Sequence, residues 1–267
     1  MDAGEVRAFL TGLPDERAPH GHDRVRVMLE ALQRPDVRLL LVSFVGGGAG
    51  AIARPARAIL EAAGARTAAL DDPLDEPLLA RAGTLAAAAT YQLAASRPDL
   101  GEPRRDEVQV TLALVAQAEA ATRVVLLVDE ALDPVSPLHA PVADLVVIGQ
   151  VDAEGAARAI ALVPEGRPCV AAAQSGSAER ERLEAVSRER GVPLLLGGRD
   201  FTFAEEDGAV RVTIAGESYP GLPRAADVAP SELAAGVAAA LGAGVLGIRM
   251  RDEWVTQGAR IAARIGG

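Results

Sequence analysis

The feature that most constrains this chain is an apolar segment that runs directly into a cluster of glycines. The sequence over residues 39–53 is LLLVSFVGGGAGAIA. The apolar part, residues 39–45, has the length of a buried strand, and the alanine-rich part predicts a helix that continues to residue 63. Strand, glycine-rich turn and helix in this order are typical of a phosphate-binding loop, where backbone N–H groups and the helix dipole stabilise an anion.

The side chains on which phosphate chemistry depends are missing from this loop. A functional loop also carries a lysine for the outer phosphates and a Ser or Thr hydroxyl for Mg²⁺. Counted from the first glycine, the lysine position holds Gly50 and the hydroxyl positions hold Ile52 and Ala53. The sequence therefore predicts a vestigial phosphate site with backbone donors only, formed by Gly46, Gly47, Gly48 and Gly50.

The composition limits the chemistry and the partners of the whole chain. There is no lysine, so all 27 basic residues are arginine, and this polypeptide alone can perform no lysine-dependent step. The net charge of −10 argues against nucleic acid as a partner, because nucleic-acid phosphates need a cationic surface. It also gives no reason to expect binding to an anionic membrane.

The sequence shows no sign of membrane insertion or export. No segment reaches the roughly 18 consecutive apolar residues of a membrane helix, and the acidic N-terminal residues do not resemble a signal peptide. We therefore expect a soluble, cytoplasmic protein. One cysteine, Cys169, and three histidines (His20, His22 and His139) exclude a disulfide framework or a zinc cluster, and we expect the thiol to be buried and inert.

Strands and helices are predicted to alternate along the chain, which is typical of a three-layer α/β fold with a mostly parallel central sheet. Two segments around an acidic turn predict a small β-hairpin at or beyond the sheet edge. Central strands are predicted at 39–45, 66–70, 124–128, 145–148, 169–172 and 192–196, and the hairpin at 201–205 and 209–215. Helices are predicted at 22–33, 51–63, 78–95, 107–121, 152–162, 178–190, 231–241 and 253–264.

Three parts are expected along the chain. Residues 1–21 form a loosely attached lead-in with a short helix near 5–10, residues 22–241 form the central domain, and residues 242–267 form a helical tail. The charged segment 97–105 is the best candidate for local disorder. Pro55 is expected near the start of its helix, where proline is tolerated.

This order of elements resembles that of folylpolyglutamate synthase, within the Mur ligase superfamily, over residues 22–241. The glycine loop lies where that family has G-T-N-G-K-G-S-T, and DRVRVMLEAL (residues 23–32) is similar to the helix that precedes it. ILEAAG (residues 59–64) is similar to the end of the helix that follows the loop. RGVPLLLGGRDF (residues 190–201) is similar to the strand that leads into the family's G-x-D-F turn.

The resemblance implies an ATP-dependent amide ligation, in which ATP phosphorylates a carboxylate and an amine then attacks the acyl phosphate. In the family, the loop lysine and Mg²⁺ neutralise charge on the transferred phosphoryl group. A carbamylated lysine, a glutamate and a histidine organise a second metal, and a C-terminal domain closes over the site.

The chain departs from the family at each of these points. The loop lysine falls on Gly50, the carbamylated lysine on Ala159 and the histidine on Asp152. The glutamate falls within LVDEALD (residues 127–133), where Asp129 or Glu130 stands near the metal position. The sequence ends where the family's C-terminal ligase domain would begin, so we expect that domain to be absent.

Two interpretations stay open for each candidate site. The glycine loop is either a residual phosphate site or a tight turn that the fold requires, and a nearby arginine could replace the lysine. The carboxylates that follow two strands are either Mg²⁺ ligands at the edge where doubly wound sheets bind their ligands, or solvated loop acids. The arginines are Arg38, Arg54 and Arg57, and the carboxylates are Asp129, Glu130 and Asp152.

Three further features have a structural and a functional interpretation. The acidic loop at residues 71–76 is either a ligand site or an exposed turn. Ser136 and His139 suggest a hydrolase, but no nucleophile elbow accompanies them. An apolar stripe on the last helix either packs back on the domain or forms a partner surface; it consists of Trp254, Val255, Ile261 and Ile265.

We therefore expect a catalytically impaired homologue of the ligase ATPase domain, which acts by binding or as a partner or regulatory subunit. It would pair with itself or with a full-length ligase, and no cofactor is expected. The alternative is an active carboxylate–amine ligase with a rebuilt site, which would use ATP and Mg²⁺. A third possibility is a fold that has acquired an unrelated ligand, because fold alone does not define an activity.

Overall fold

The computed structural model describes residues 1–15, 21–224, 227–247 and 251–265, the last four of these without their side chains. Within them, a six-stranded sheet has the order β2-β3-β1-β4-β5-β6 and a smaller sheet has the order β7-β8-β9. The central strands are β1 (Leu40–Val45), β2 (Thr67–Ala69), β3 (Val124–Asp129), β4 (Leu145–Ile148), β5 (Cys169–Ala171) and β6 (Leu194–Leu196). The small sheet consists of β7 (Phe201–Glu206), β8 (Ala209–Ile214) and β9 (Glu217–Pro223).

The central sheet confirms the predicted α/β class. Strand β1 pairs with β4, β4 with β5 and β5 with β6, all in parallel, and the register places Val45 beside Ile148 and Ile148 beside Ala171. Every residue of β4 and β5 is buried, which is the pattern of a parallel sheet that is covered on both faces. Continuous apolar runs rather than alternating ones therefore marked these strands in the sequence.

The predicted helices are all present, and their ends differ from the predicted ones by three residues or fewer, except at the end of α8. No helix among the described residues is both long enough and apolar enough to span a membrane. The helices are α1 (Ala3–Gly12), α2 (Gly21–Ala31), α3 (Ala49–Ala62), α4 (Glu76–Ser96), α5 (Arg105–Glu119), α6 (Ala153–Ala161), α7 (Ser177–Glu189), α8 (Pro230–Val245) and α9 (Asp252–Ile265).

The chain divides into two compact units. The first consists of residues 1–41, 68–125 and 133–142, and the second of residues 42–67, 126–132 and 143–267. The boundaries predicted after residues 21 and 241 stay a prediction.

In the first unit, α1 packs against α4 and α5. Val6 on α1 is fully buried, and a Cβ added to Gly83 on α4 would lie 2.4 Å from its Cγ2. The expectation of a loosely attached lead-in was therefore wrong for α1, because an apolar side chain fits closely against a glycine. The segment predicted to be disordered instead contains a 3-10 turn, Pro98–Leu100, whose last residue is buried.

In the second unit, α3 packs against α8 and α9. Helix α3 begins at Ala49, so Pro55 lies in its interior and not in its first turn, which corrects the prediction. Glycines allow both neighbours to approach closely: a Cβ added to Gly236 would lie 2.6 Å from Pro55 Cγ, and one added to Gly258 would lie 2.3 Å from the Cα of Ile59. The end predicted for α8 at residue 241 was also wrong, because the helix continues to Val245.

The predicted hairpin is present, but it belongs to a three-stranded antiparallel sheet. Strands β7 and β8 pair from Phe201 opposite Ile214 to Glu206 opposite Ala209. The third strand, β9, was not predicted, because its two prolines and one glycine are typical of a loop.

Candidate phosphate-binding site

The glycine loop joins the end of β1 to the start of α3, as the sequence predicts. Gly46 and Gly48 have positive φ angles of 87° and 75°, a conformation that costs glycine nothing and other residues much more. Gly48 is also the N-cap residue of α3. The loop therefore leads a buried strand into a helix whose first N–H groups form the candidate anion site.

The first half of the loop is bonded to other backbone segments. The N–H of Gly46 donates to the carbonyl of Asp129 at 3.0 Å, and the N–H of Gly47 donates to the carbonyl of Gln150 at 2.8 Å. The N–H of Gln150 donates back to the Gly47 carbonyl at 2.8 Å. The segments are so close that a Cβ added to Gly149 would lie 2.2 Å from the Gly47 oxygen. The close packing of these segments therefore explains why glycines are needed here. It also engages the N–H groups of Gly46 and Gly47, which a phosphate would need as donors.

Two carboxylates of the chain itself occupy the N-terminal end of α3. The N–H of Gly50 donates to Glu130 Oε1 at 3.1 Å. Glu232 lies over the neighbouring glycine, since a Cβ added to Gly48 would lie 2.5 Å from its Oε1. The other Glu232 oxygen accepts the N–H of Ala229 at 2.7 Å, which holds this side chain at the start of α8. A helix N terminus stabilises negative charge, and here the chain supplies that charge.

The arginines of α3 form ion pairs within the chain. Arg54 Nη1 lies 2.6 Å from Asp227 Oδ2, and this pairing lowers the pKa of the Asp227 carboxyl. Arg57 Nε lies 2.9 Å from Glu61 Oε1. Arg38, the third arginine considered as a replacement for the lysine, belongs to the first unit and not to the unit that holds the loop. The guanidinium groups of α3 are therefore already engaged with carboxylates.

The positions of the missing hydroxyl ligands lie in the core. Ile52 and Ala53 have exposed fractions of 1% and 5%. A Mg²⁺ ligand at either position would have to face the loop, whereas these side chains pack inside the unit. Both side chains contribute to packing, and neither contains an oxygen atom that could bind Mg²⁺.

The three carboxylates predicted as Mg²⁺ ligands each accept a hydrogen bond from a backbone N–H. Asp152 is the N-cap of α6, and its Oδ1 accepts the N–H of Gly155 at 2.6 Å. Asp129 Oδ1 accepts the N–H of Ala131 at 3.1 Å, and Glu130 is bound to the loop as described above. Among the described residues, no group of three or more His, Cys, Asp or Glu side chains is spaced to hold a metal ion. The structure therefore does not gather these three carboxylates into a three-ligand site.

Two glutamines that the sequence analysis did not single out link the loops after β4 and β5. Gln150 donates through Nε2 to the carbonyl of Ala173 at 2.7 Å and accepts the N–H of Ser175 at 3.1 Å. Gln174 donates to the carbonyl of Gly149 at 2.9 Å. An amide residue shortly after each strand was the only sequence signal for this network, which fastens the segment that contacts the glycine loop.

The acidic loop has a structural role in the first unit. Asp72 Oδ2 accepts the N–H of Ala69 at 2.9 Å. Asp75 is the N-cap of α4 and accepts the N–H of Leu78 at 2.7 Å. Turn and cap geometry account for these two acids.

His22 meets the backbone of Ser136, which is a structural contact. His22 Nε2 lies 2.7 Å from the backbone carbonyl oxygen of Ser136, not from its hydroxyl. The rings of His22 and His139 meet edge to face, with centroids 6.2 Å apart, and burial lowers the pKa of His22. His20 lies outside the described residues.

The cysteine and the last helix have clear packing roles in the second unit. Cys169 is fully buried, as predicted, and burial raises the pKa of its thiol. Val255 on α9 is also fully buried, and the Arg251 guanidinium lies 5.2 Å from the centroid of the Trp254 ring. At Val255 the apolar stripe therefore packs back on its own unit, while the side chain of Ile265 lies outside the described ones.

No protein-family model and no curated protein matches the sequence. Solved structures do match. The apo form of Lactobacillus casei folylpolyglutamate synthase has a TM-score of 0.86 at 16% identity, and the match covers 98% of this chain and 72% of that one. Escherichia coli FolC in complex with DHPP and ADP has a TM-score of 0.78 at 16% identity, and the match covers 98% of this chain and 66% of that one. Mycobacterium tuberculosis folylpolyglutamate synthase in complex with ADP has a TM-score of 0.76 at 17% identity, and the match covers 97% of this chain and 65% of that one.

The likeness extends over nearly the whole of this chain and over about two thirds to three quarters of each of those enzymes. It therefore includes the parallel sheet, the glycine loop and the small antiparallel sheet. At 16–17% identity it establishes architecture and not chemistry. The chain has the fold of folylpolyglutamate synthase.

Proposed function

We propose that this chain is a catalytically impaired homologue of the folylpolyglutamate synthase ATPase domain, which acts by binding or as a partner or regulatory subunit. The observation that carries the proposal is the occupied N terminus of α3. Glu130 accepts the Gly50 N–H, and Glu232 lies over Gly48. The strand–turn–helix backbone of the glycine loop is formed, and two carboxylates of the chain lie where a phosphate would bind.

Coulomb repulsion gives the physical reason why a nucleotide would be excluded. Two like unit charges about 4 Å apart repel each other by roughly 1 kcal/mol in water and by about 4 kcal/mol at the effective dielectric of a protein surface. A triphosphate would meet two carboxylates in a chain with a net charge of −10 and no lysine. Arg54 and Arg57 are paired with acids, so they offset little of this repulsion.

Nucleotide-bound relatives provide the alternative. One matching folylpolyglutamate synthase is described in complex with AMPPCP and folate, and the E. coli and M. tuberculosis enzymes are described with ADP. An active ligase in this chain would need a cation and a Mg²⁺ ligand from elsewhere in the sequence. The buried Ile52 and Ala53 make the family's hydroxyl position unusable, so we favour the impaired form.

Nucleotide titration tests the proposal. Thermal unfolding and calorimetry are measured with Mg·ATP and Mg·ADP, because a ligand that binds only the native state stabilises it by about 2.7 kcal/mol at 100 times its Kd. We expect no saturable change for the wild-type chain. Replacing Gly50→Lys together with Glu130→Ala and Glu232→Ala restores the cation and removes both carboxylates, and we expect this triple variant to bind Mg·ADP.

The control removes two negative charges that lie away from the glycine loop. Glu181→Ala with Glu189→Ala changes two exposed residues of α7 and should leave nucleotide binding unchanged. Saturable Mg·ATP binding by the wild-type chain, with ADP release in the presence of an acid and an amino acid, would contradict the proposal and establish the ligase alternative.

The partner role needs a separate measurement. Analytical ultracentrifugation of the chain alone, and then mixed with a full-length folylpolyglutamate synthase from the same organism, reports self-association and complex formation. We expect one of these two associations, and in the mixed case a changed ligase rate. A monomeric chain that leaves the sedimentation and the rate of the ligase unchanged would refute this part of the proposal.

A further inference from the structure

The first unit contains a cavity that plays no part in the glycine-loop site. Its volume is about 260 Å³. Its walls come from the end of α2, the 3-10 turn Pro35–Arg38, the middle of α4 and the end of α5. The apolar lining includes Leu32, Pro35, Leu85 and Val115. Leu85 is 39% exposed, so this part of the lining is open to solvent.

The cavity has one available positive charge. Two charged residues line it, Arg38 and Glu119. Glu119 Oε2 lies 3.2 Å from Arg81 Nε, so its charge is balanced by a partner. Within the part of the chain that the structure describes, Arg38 is exposed and forms no ion pair. The local field therefore favours an anion beside Arg38, and the apolar lining favours an apolar group in the rest of the cavity.

The segment that carries Arg38 is held in place before any ligand arrives. Asp36 is only 2% exposed and accepts two bonds from Arg34, from Nε at 2.9 Å and from Nη2 at 2.7 Å. Gln33 and Arg34 both have positive φ, at 60° and 53°, so this ion pair stabilises a backbone that non-glycine residues rarely adopt. A preformed wall lowers the entropy cost of binding.

We propose that this cavity binds a small monocarboxylic acid, with its apolar body between Leu32, Leu85 and Val115 and its carboxylate on the Arg38 guanidinium. Arginine pairs with carboxylates through two parallel N–H···O bonds, which gives orientation as well as affinity. A water-sized group occupies about 30 Å³ in a liquid, so the cavity has room for roughly nine such groups. The ligand is therefore the size of a simple aromatic or short aliphatic acid, smaller than most drug-like ligands.

Benzoate is the probe, and benzamide is its neutral isostere. Ligand-observed NMR on the full chain measures both affinities. We expect benzoate to bind with a Kd on the order of 1 mM, as nine non-hydrogen atoms at modest ligand efficiency allow, and benzamide to bind roughly tenfold more weakly.

Three variants locate the site. Arg38→Gln should weaken benzoate roughly tenfold or more and leave benzamide unchanged, because only the charge-assisted bonds are lost. Ala118→Leu places a larger side chain in the lining and should weaken both probes. Arg7→Gln changes an exposed arginine of the same unit, paired with Glu76 at 3.7 Å, and should change neither. Far-UV circular dichroism and the Tm check that each variant is folded.

Three results would overturn the proposal. The first is that benzoate does not bind at a concentration roughly ten times the expected Kd. The second is that benzoate and benzamide bind equally well, and the third is that Arg38→Gln leaves benzoate binding unchanged. In the last two cases the carboxylate would make no specific contact.

Discussion

At the scale of single residues, the most consequential pair in the first unit is Arg24 and Glu107. Arg24 Nε lies 2.7 Å from Glu107 Oε2, and Nη2 lies 2.6 Å from Oε1. Their side chains are only 2% and 4% exposed. Arg24 Nη1 also donates to the carbonyl of Leu100 at 2.8 Å, and Glu107 accepts the N–H of Arg104 at 2.9 Å. A desolvated pair with this many bonds fixes α2, α5 and the turn between α4 and α5 together.

Removing one partner of this pair should be severe. Glu107→Ala leaves the Arg24 guanidinium buried without its carboxylate, and breaking a buried pair in this way costs about 3–5 kcal/mol. Urea unfolding measures the loss. Arg81→Ala is the control, because its pair with Glu119 lies at the surface, where such pairs contribute about 0–1 kcal/mol. Equal losses in the two variants would show that the buried pair has no special role.

Residue-scale prediction from the sequence reached part of the candidate site. The position of Gly46–Gly50 between a strand and a helix followed from local pattern, and so did the missing lysine at Gly50. The role of Glu232 could not be predicted, because its contact with Gly48 joins residues that are far apart in sequence. A glutamate in the first turn after Pro230 indicates the start of a helix. The neighbouring sequence does not indicate that one oxygen of this glutamate faces the glycine loop.

At the scale of elements, the contact of α1 with α4 depends on the absence of one side chain. Gly83→Ala should destabilise the chain by about 1–3 kcal/mol, since the new Cβ would lie 2.4 Å from the buried Val6. Gly12→Ala is the matched control, because nothing lies within 4 Å of its added Cβ, and it should be neutral or slightly stabilising. Thermal unfolding compares them.

A double variant shows whether the steric contact is the cause. In Gly83→Ala with Val6→Ala the clash is relieved, so the loss should be smaller than the sum of the two single losses. Strictly additive losses would mean that the cost of Gly83→Ala arises elsewhere.

Element-scale prediction was accurate where one local pattern decided, and wrong where tertiary contacts did. The central strands followed from their continuous apolar runs, and the helices followed from their apolar periodicity. Strand β9 was missed because Pro220, Gly221 and Pro223 suggest a loop. The register explains it: Tyr219 pairs with Val212 and Leu222 with Val210, so an irregularity lets two residues three apart both be buried. Sequence pattern with a strict period of two does not reveal such a strand.

At the scale of the whole molecule, the absence of lysine simplifies the alkaline titration. The side chains that ordinarily lose a proton between about pH 8 and pH 11 are then one cysteine and two tyrosines. Burial raises the pKa of the Cys169 thiol above its ordinary value of 9.0. Burial, with a hydrogen bond to Glu217, raises the pKa of Tyr219 from 10.0 to about 12.

The raised pKa values of Cys169 and Tyr219 predict that the free energy of unfolding falls as the pH rises above about 9. In that range the unfolded chain has already released the Cys169 proton and then the Tyr219 proton, while the folded chain keeps both. Each group lowers the free energy of unfolding by up to about 1.4 kcal/mol per pH unit between its unfolded and its folded pKa. Urea unfolding under reducing conditions, in steps from pH 8 to pH 11, measures the slope. Cys169→Ala should flatten it from about pH 9 upward, and Tyr219→Phe only from about pH 10.

Comparing slopes rather than absolute stabilities separates proton linkage from packing. Cys169→Ala leaves a small void that lowers stability by the same amount at every pH, so the void shifts the curve without tilting it. The self-repulsion of the acidic chain is common to all variants and cancels in the comparison. If the wild-type chain and both variants lost stability along parallel lines above pH 9, the thiol and the phenol would not be the groups that the folded molecule protects.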